Sequence, residues 1–289
     1  MTTSPIDRFS QFVSNGGEWI ADKRCIHVKS PHLLTQIAGY SKFVSGSDNR
    51  TIYFRGQSKT YEKMLANIYR PPRSGGLPKP SYLHGLMNGY ITSLEASGAM
   101  INSTPNRAYE PLLQHYGMST RWMDAVDNIW VALWFACHQA KSRGELNRFV
   151  NFERRSLANP DDDFAYIIVL QFDQLQKIAD APGFSENRKY EVVDLRVATP
   201  SLYLRPHAQH GVLFKKKGVD APADTDAIDT VFGTIRVSLL DALSWLGTGD
   251  LLTSHTIFPP AYYDEGYLRL LERAPVGRKW IGTITTVGT

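Results

Sequence analysis

"FAYIIVLQF", from Phe164 to Phe172, is a continuous apolar run of strand length. Runs this short, rich in branched residues and without polar alternation, suit a strand buried on both faces at the centre of a sheet. Working outward, "TIYFRGQ" (Thr51 to Gln57) reads as an earlier buried strand that stops at Gly56. "LYLR", "GVLF", "TIRVSL" and "KWIGTITTV" are strand candidates after it. Helical spacing marks "SYLHGLMNGYITSLEASG", with Gly98 as its C-cap, and "YEPLLQHYG", which stops at Gly117. "DAVDNIWVALWFACHQA" (Asp124 to Ala140) is apolar almost all round and predicts one central buried helix. "LLDALSWLG" and "AYYDEGYLRLLER" are late helices. With helices early and strands later, the class is α+β.

At the N-terminus, Ser4-Pro5 and Ser30-Pro31 each pair a hydroxyl cap with proline at the first helical position. The first opens a face of Ile6, Phe9, Phe12 and Val13. Residues 1–45 are therefore expected to form a helical prelude, and residues 46–289 a single domain. "RPPRSGGLPKP" (Arg70 to Pro80) reads as a long surface connection.

The 289 residues include 43% hydrophobic and 21% charged residues, the balance of a folded globular protein. No apolar run reaches the roughly 18 residues of a membrane helix, and the N-terminus lacks the apolar core of a secretory signal. With only Cys25 and Cys137, far apart, the expectation is a cytoplasmic protein without membrane contact. The net charge of +4 favours approach to polyanions. Its densest basic run, Lys215 to Lys217, reads either as a solvated hairpin tip or as a nucleic-acid contact.

No phosphate loop, dinucleotide fingerprint, HExxH or CxxC occurs. His207 and His210 are three apart, but no acid or cysteine flanks them, and no metal site is expected. Three clusters remain, each at the edge of an apolar element: Phe54 to Gln57, His115 to Asp124, and Arg205 to Phe214. Arg55 needs an anionic partner or solvent, and either Asp124 or a ligand phosphate would serve. Asp124 and Asp127, just ahead of the predicted buried helix, read as its caps.

These clusters carry a resemblance. The chain resembles the FRG domain family of bacteria and phages through Phe54, Arg55 and Gly56. Gln114-His115-Tyr116-Gly117, Thr120-Arg121, Asp124 and Phe135-Ala136 are similar to the family's second signature. Arg205, Gln209, Gly211 and Phe214 are similar to the third, and Phe258-Pro259 to the closing one. The resemblance spans about residues 45 to 270. It departs at Trp122-Met123, where two leucines are usual, and at Ala125-Val126, where an aromatic residue and a threonine are.

The order of these elements also resembles the ADP-ribosyltransferase fold, which implies split mixed or antiparallel sheets with helices packed around them. It implies NAD as substrate, with Arg55 on a phosphate or ribose, Ser119 and Thr120 bracing the site, and Gln209 in the position of a directing glutamate. Gly56, Gln57, His115, Tyr116 and Arg121 would complete the NAD site. An amide offers no charge to a cationic transition state, where a charge pair about 4 Å apart is worth roughly 4 kcal/mol. Asp124 is the acid available to supply it, and Gln209 is alternatively a structural amide.

The resemblance thus implies an ADP-ribosyltransferase, a toxin or antiphage-defence effector. Its acceptor would be a macromolecule, RNA or DNA ahead of protein, and an antitoxin protein would neutralise it. Two other readings stay open: a metal-independent nuclease using His115, His207 or His210, and a nucleotide-binding sensor without turnover.

Overall fold

A computed structural model describes residues 5–72, 76–157 and 163–288. Ser4, the Ile6 side chain and positions 73–75 of the proline-rich connection lie outside the described residues. The N-terminal segment is a 3-10 helix, Pro5–Asn15, that buries Phe9 and Phe12 and leaves Val13 exposed. Two strands follow, β1 (Glu18–Ile20) and β2 (Cys25–Val28). The first 45 residues are therefore not helical throughout. The run Cys25 to Val28 is buried at every position, and its branched side chains suit a sheet better than a helix. Helix α1 (Pro31–Ser47) begins as expected, with the Ser30 hydroxyl accepting from the Leu33 N–H.

Next come β3 (Arg50–Gln57), α2 (Pro80–Ser97) and α3 (Tyr109–His115). Gly98 (φ +63°) and Gly117 (φ +99°) end these two helices in left-handed backbone, as the spacing predicted. The stretch Asp124 to Ala140 is not one helix. It divides into β4 (Met123–Val126), α4 (Ile129–Cys137) and β5 (His138–Arg143). The cap is Asn128, whose side chain accepts from the N–H groups of Trp130 and Val131. Asp124 and Asp127 cap nothing there, because the chain ahead of Asn128 is already committed to strand pairing.

Strand β6 (Phe149–Arg154) pairs with β5, and β7 (Phe164–Asp173) is the predicted central strand. Beyond it lie β8 (Gln176–Lys177), β9 (Phe184–Glu186), β10 (Tyr190–Asp194), α5 (Leu195–Ala198) and α6 (Leu204–Ala208). The expected strand "LYLR" thus gives way to a short helix at its end. The chain closes with β11 (Gly211–Lys216), β12 (Val231–Ser238), α7 (Leu239–Leu246), α8 (Ser254–Ile257), α9 (Glu265–Arg273) and β13 (Thr286–Gly288). Of the predicted strand "KWIGTITTV", only its end is strand.

The architecture is mixed α and β around a large, open mixed sheet. Ten strands run in the order β1-β2-β12-β7-β3-β4-β11-β10-β9-β8, and a separate three-stranded sheet holds β13-β6-β5. Every pairing in the large sheet is antiparallel except β2 with β12. Side chains of β7 alternate between two cores. Ile167 and Val169 join Leu34, Ile37, Ala132 and Val237, while Ile168 and Leu170 join Leu83, Leu112 and Leu213. That alternation explains a run with no polar face.

One join in the sheet is narrow. β3 pairs with β7 at eight positions and β4 with β11 at four, but β3 meets β4 at the single pair Phe54–Val126. The ten strands are thus two halves held at one rung, with backbone groups on either side of it lacking ladder partners. Gly56 lies just past the rung, on the strand that α4 crosses. A Cβ added there would stand 1.8 Å from the Ala132 carbonyl oxygen and 2.8 Å from the Ala136 nitrogen. Only glycine lets α4 lie this close. Gly56→Ala should lower unfolding free energy by at least about 3 kcal/mol, since backbone rather than a side-chain tip must yield; a denaturant titration with unchanged midpoint would refute this.

Candidate functional site

At the narrow join the three sequence clusters come together. Beyond Phe54, the side chain of Arg55 turns to β4 and donates from Nη1 to the Asp124 carbonyl oxygen. It thereby satisfies a strand-edge acceptor that the missing rung leaves open. Arg55 is half-buried and has no carboxylate in salt-bridge contact; the rest of its N–H fork has no partner among the described residues. Burial pushes its guanidinium down to about 10, partly offset by the charge of Asp124.

The Asp124 side chain is oriented from the second cluster. Gln114 at the end of α3 donates from Nε2 to Asp124 Oδ2 (2.8 Å). Its Oε1 accepts from the Thr120 amide and hydroxyl, at 3.2 and 3.0 Å. Thr120 is fully buried, and its hydroxyl oxygen also accepts from the Trp122 amide. Thr120 therefore braces Asp124 through Gln114. Ser119 donates its backbone N–H to the Ile281 carbonyl, and its half-buried hydroxyl makes no hydrogen bond among the described residues. Gln57 is half-buried beside Gly56 and likewise unengaged.

Other expected ligand residues are already occupied. Arg121 grips the buried Glu110 with Nε and Nη2, while its backbone N–H donates to the same carboxylate. Its fork is closed, so it locks the loop after α3 onto that helix. Tyr116 is wholly buried; its hydroxyl donates to Asp264 Oδ2 (2.7 Å) and its ring stacks on Tyr267. Gln209 donates from Nε2 to the Ile257 carbonyl (3.0 Å), which ties the end of α6 to α8. The structural reading of Gln209 is the one its geometry supports.

Arg205, from the third cluster, is a buried cation without a carboxylate. Its guanidinium lies 4.5 Å from the Tyr116 ring centroid, 4.4 Å from Tyr267 and 5.3 Å from Phe258, and it donates to the His115 carbonyl. Ring faces supply the negative potential that an acid would otherwise provide. The arrangement holds together three of the motifs.

His115 is buried, and neither ring nitrogen has a hydrogen-bond partner. Its ring fills the space above Gly211, where a Cβ would stand 2.4 Å from Cε1. Burial pushes its pKa down to about 4, against a smaller upward pull from Asp124. His115 is thus neutral at neutral pH and unsuited to general-acid work there, which leaves His207 and His210 as the histidines of the nuclease reading.

At the same rung Asp127 and His210, singled out in the sequence for other roles, join two residues it did not mark. Asp127, Asp194, Arg196 and His210 form a linked cluster, with Arg196 bridging the two aspartates at 2.7 Å each and His210 Nδ1 standing 3.0 Å from Asp127 Oδ1. Asp127 and His210 are 83 positions apart, so no local pattern marks them. The lysine run is also committed: Lys215 pairs with Glu191, Lys217 with Glu186, and Lys216 donates to the Asp226 carbonyl. Grooves of ≈ 520 and ≈ 400 Å³ lie elsewhere, one near Gln176 and Lys189, the other near Arg148 and Leu270. Neither is lined by Arg55 or Asp124, so they are separate from the cluster of motifs.

The FRG domain model matches residues 50–145. The chain carries an FRG domain. The match takes in the first two motifs, Phe54 to Gly56 and Gln114 to Ala136, while Arg205 to Phe214 and Phe258-Pro259 lie beyond it. Comparison with curated proteins and with solved structures returns no match. No described helix is long and apolar enough to cross a membrane. In the FRG domain of this chain, the motif glycine seats a helix, the motif arginine spans the seam, and the motif glutamine orients an acid.

His115 gives this domain a pH signature. Its folded pKa lies below the ordinary 6.5, so the unfolded chain binds the extra proton first as pH falls. The neutral ring's contribution is complete above about pH 6.5 and is lost as pH falls towards about 4. The size is about 3 kcal/mol. His115→Gln should flatten the fall of unfolding free energy across that window, measured by urea titration at stepped pH; an identical slope would exclude His115 as its source.

Proposed function

We propose that the seam binds NAD and transfers its ADP-ribose to a macromolecular acceptor, in the service of a toxin or defence effector. The observation that carries this reading is Arg55: a desolvated guanidinium, unpaired with any carboxylate, at the splayed junction of two half-sheets. Its open N–H fork suits a pyrophosphate or ribose oxygen. The Asp124 carboxylate, held by Gln114 and Thr120 beside it, is the anion available to stabilise positive charge developing on the nicotinamide ribose. Asp124 therefore takes the role that motif order gave to Gln209, whose amide is engaged elsewhere.

In the reaction, the bond between ribose C1′ and nicotinamide breaks, nicotinamide leaves with the electron pair, and an acceptor nucleophile bonds to C1′ and loses its proton. The two-halved sheet is consistent with an ADP-ribosyltransferase-like arrangement. The paired lysines withdraw one of the two reasons for placing nucleic acid ahead of protein, leaving only the net charge of +4, so the acceptor is proposed only as a macromolecule. A neutralising partner protein follows from the toxin role.

Titration of the purified chain with NAD, followed by assay of nicotinamide release, tests this. Arg55→Lys keeps the charge and loses the fork; it should weaken NAD binding about tenfold, and Arg55→Ala by more. Asp124→Asn should retain binding and slow release by about 100-fold or more. Wild-type protein that neither binds NAD nor releases nicotinamide in the presence of cell lysate as acceptor source would overturn the reading.

A further inference from the structure

The Asp127–His210 pair stands immediately beyond the rung that joins the half-sheets. Val126 pairs with Phe54 on one side and Gly211 on the other. Asp127 follows Val126 and His210 precedes Gly211, while Arg55 follows Phe54. The pair and Arg55 thus lie on opposite sides of one rung, two steps apart along the strand direction, or roughly 6.6 Å.

The geometry of the pair defines a proton acceptor. Asp127 is held by Arg196, which donates from Nη2 to Asp127 Oδ2, and Arg196 is itself fixed by Asp194 at 2.9 and 2.7 Å. Lys42 from α1 donates to the Asp127 carbonyl, anchoring its backbone. The other carboxylate oxygen of Asp127 faces His210 Nδ1. An ionised carboxylate has no proton to give, so Nδ1 must carry it. Arg196 meets its two carboxylates through Nε and Nη2, and its Nη1 also approaches His210 Nδ1, at 3.2 Å; the closer contact of Nδ1, 3.0 Å to Asp127 Oδ1, is the one that sets the tautomer. This tautomer leaves the Nε2 lone pair free. His210 is 40% exposed at its side chain, and Nε2 has no partner among the described residues.

The backbone agrees with a dedicated position. His210 has φ +51°, a left-handed conformation that a side chain enters at a cost. It presents the imidazole between the end of α6 and the start of β11, where an extended residue would instead continue the ladder.

We propose that His210, oriented by Asp127, is the general base for an O–H acceptor that attacks the ribose held at Arg55. This rests on the NAD reading above and narrows the acceptor to a hydroxyl, of a macromolecule or of water. As the acceptor oxygen bonds to C1′ and nicotinamide departs, its proton passes to His210 Nε2 and then to solvent. Asp127 is a positioning residue that keeps Nδ1 protonated, with Arg196 fixing the carboxylate.

Two measurements on the full chain test this separately. Nitrogen NMR of His210 reads the tautomer without any substrate: the expected state has the proton on Nδ1, and a proton on Nε2 at neutral pH overturns the proposal. The pH profile of nicotinamide release reads the chemistry. His210→Asn, which tolerates left-handed backbone, should slow release by about 100-fold or more and abolish the acid limb, with NAD affinity within twofold of wild type. Asp127→Asn should shift that limb and move the His210 proton to Nε2. An unaltered rate and profile in His210→Asn, with wild type active, would overturn the base and leave NAD transfer standing. Absence of NAD binding by wild type would overturn both.

Discussion

Direct backbone contact between α4 and β3 at Gly56 governs the rest of the molecule. With the Ala132 carbonyl seated where a side chain would be, helix and strand share one position and neither can shift alone. The consequence reaches both cores. Helix α4 supplies Ala132, Leu133, Trp134 and Ala136 to one, and β3 carries the rung that links the half-sheets. Because α4 is capped at Asn128, only two residues separate the rung at Val126 from the helix N-terminus. On one side of the rung the split follows from geometry: β4 turns towards α4 directly after Val126, so no rung with β3 can follow there.

Once the ladder is interrupted there, polar groups at its edge must be satisfied by side chains. Arg55 does so for Asp124, and in the process its charge is held half-buried at the seam. Gln114 fixes the Asp124 carboxylate by using both ends of its amide, accepting from Thr120 and donating to Asp124. Nearby, Arg205 holds the His115 carbonyl from within its ring cage, and His115 in turn packs on Gly211. Motif residues as far apart in the chain as His115 and Gly211 are thus linked by direct contact.

Local patterns were sufficient where local forces decide. The buried strand at Phe164, the helix stops at Gly98 and Gly117, and the Ser30 cap all depend on neighbours within a few residues. Asp124 and Asp127 were misread because an acid before an apolar run looks the same whether it caps a helix or borders a strand; Asn128 is the true cap. Motif order placed Gln209 at the reacting centre, yet its amide is taken by Ile257, 48 positions later. The pairing of Lys215 with Glu191 was equally out of reach, since it depends on the register of β10 against β11. For Arg55 the sequence left Asp124 and a ligand phosphate both open as partners; the contact with Asp124 runs through its carbonyl rather than an ion pair.

The cations of the seam differ in how fully they are engaged. Arg121 and Arg196 each have carboxylates in hydrogen-bond contact, and Arg205 has aromatic faces; Arg55 has one carbonyl. Half-buried, Arg55 meets the Asp124 carbonyl with one end of its fork, and the rest of the fork has no partner among the described residues. The same logic separates His115 from His210. The first is shielded, neutral and wedged on a glycine, whereas the second is anchored at one nitrogen and open at the other, on the edge of the same seam.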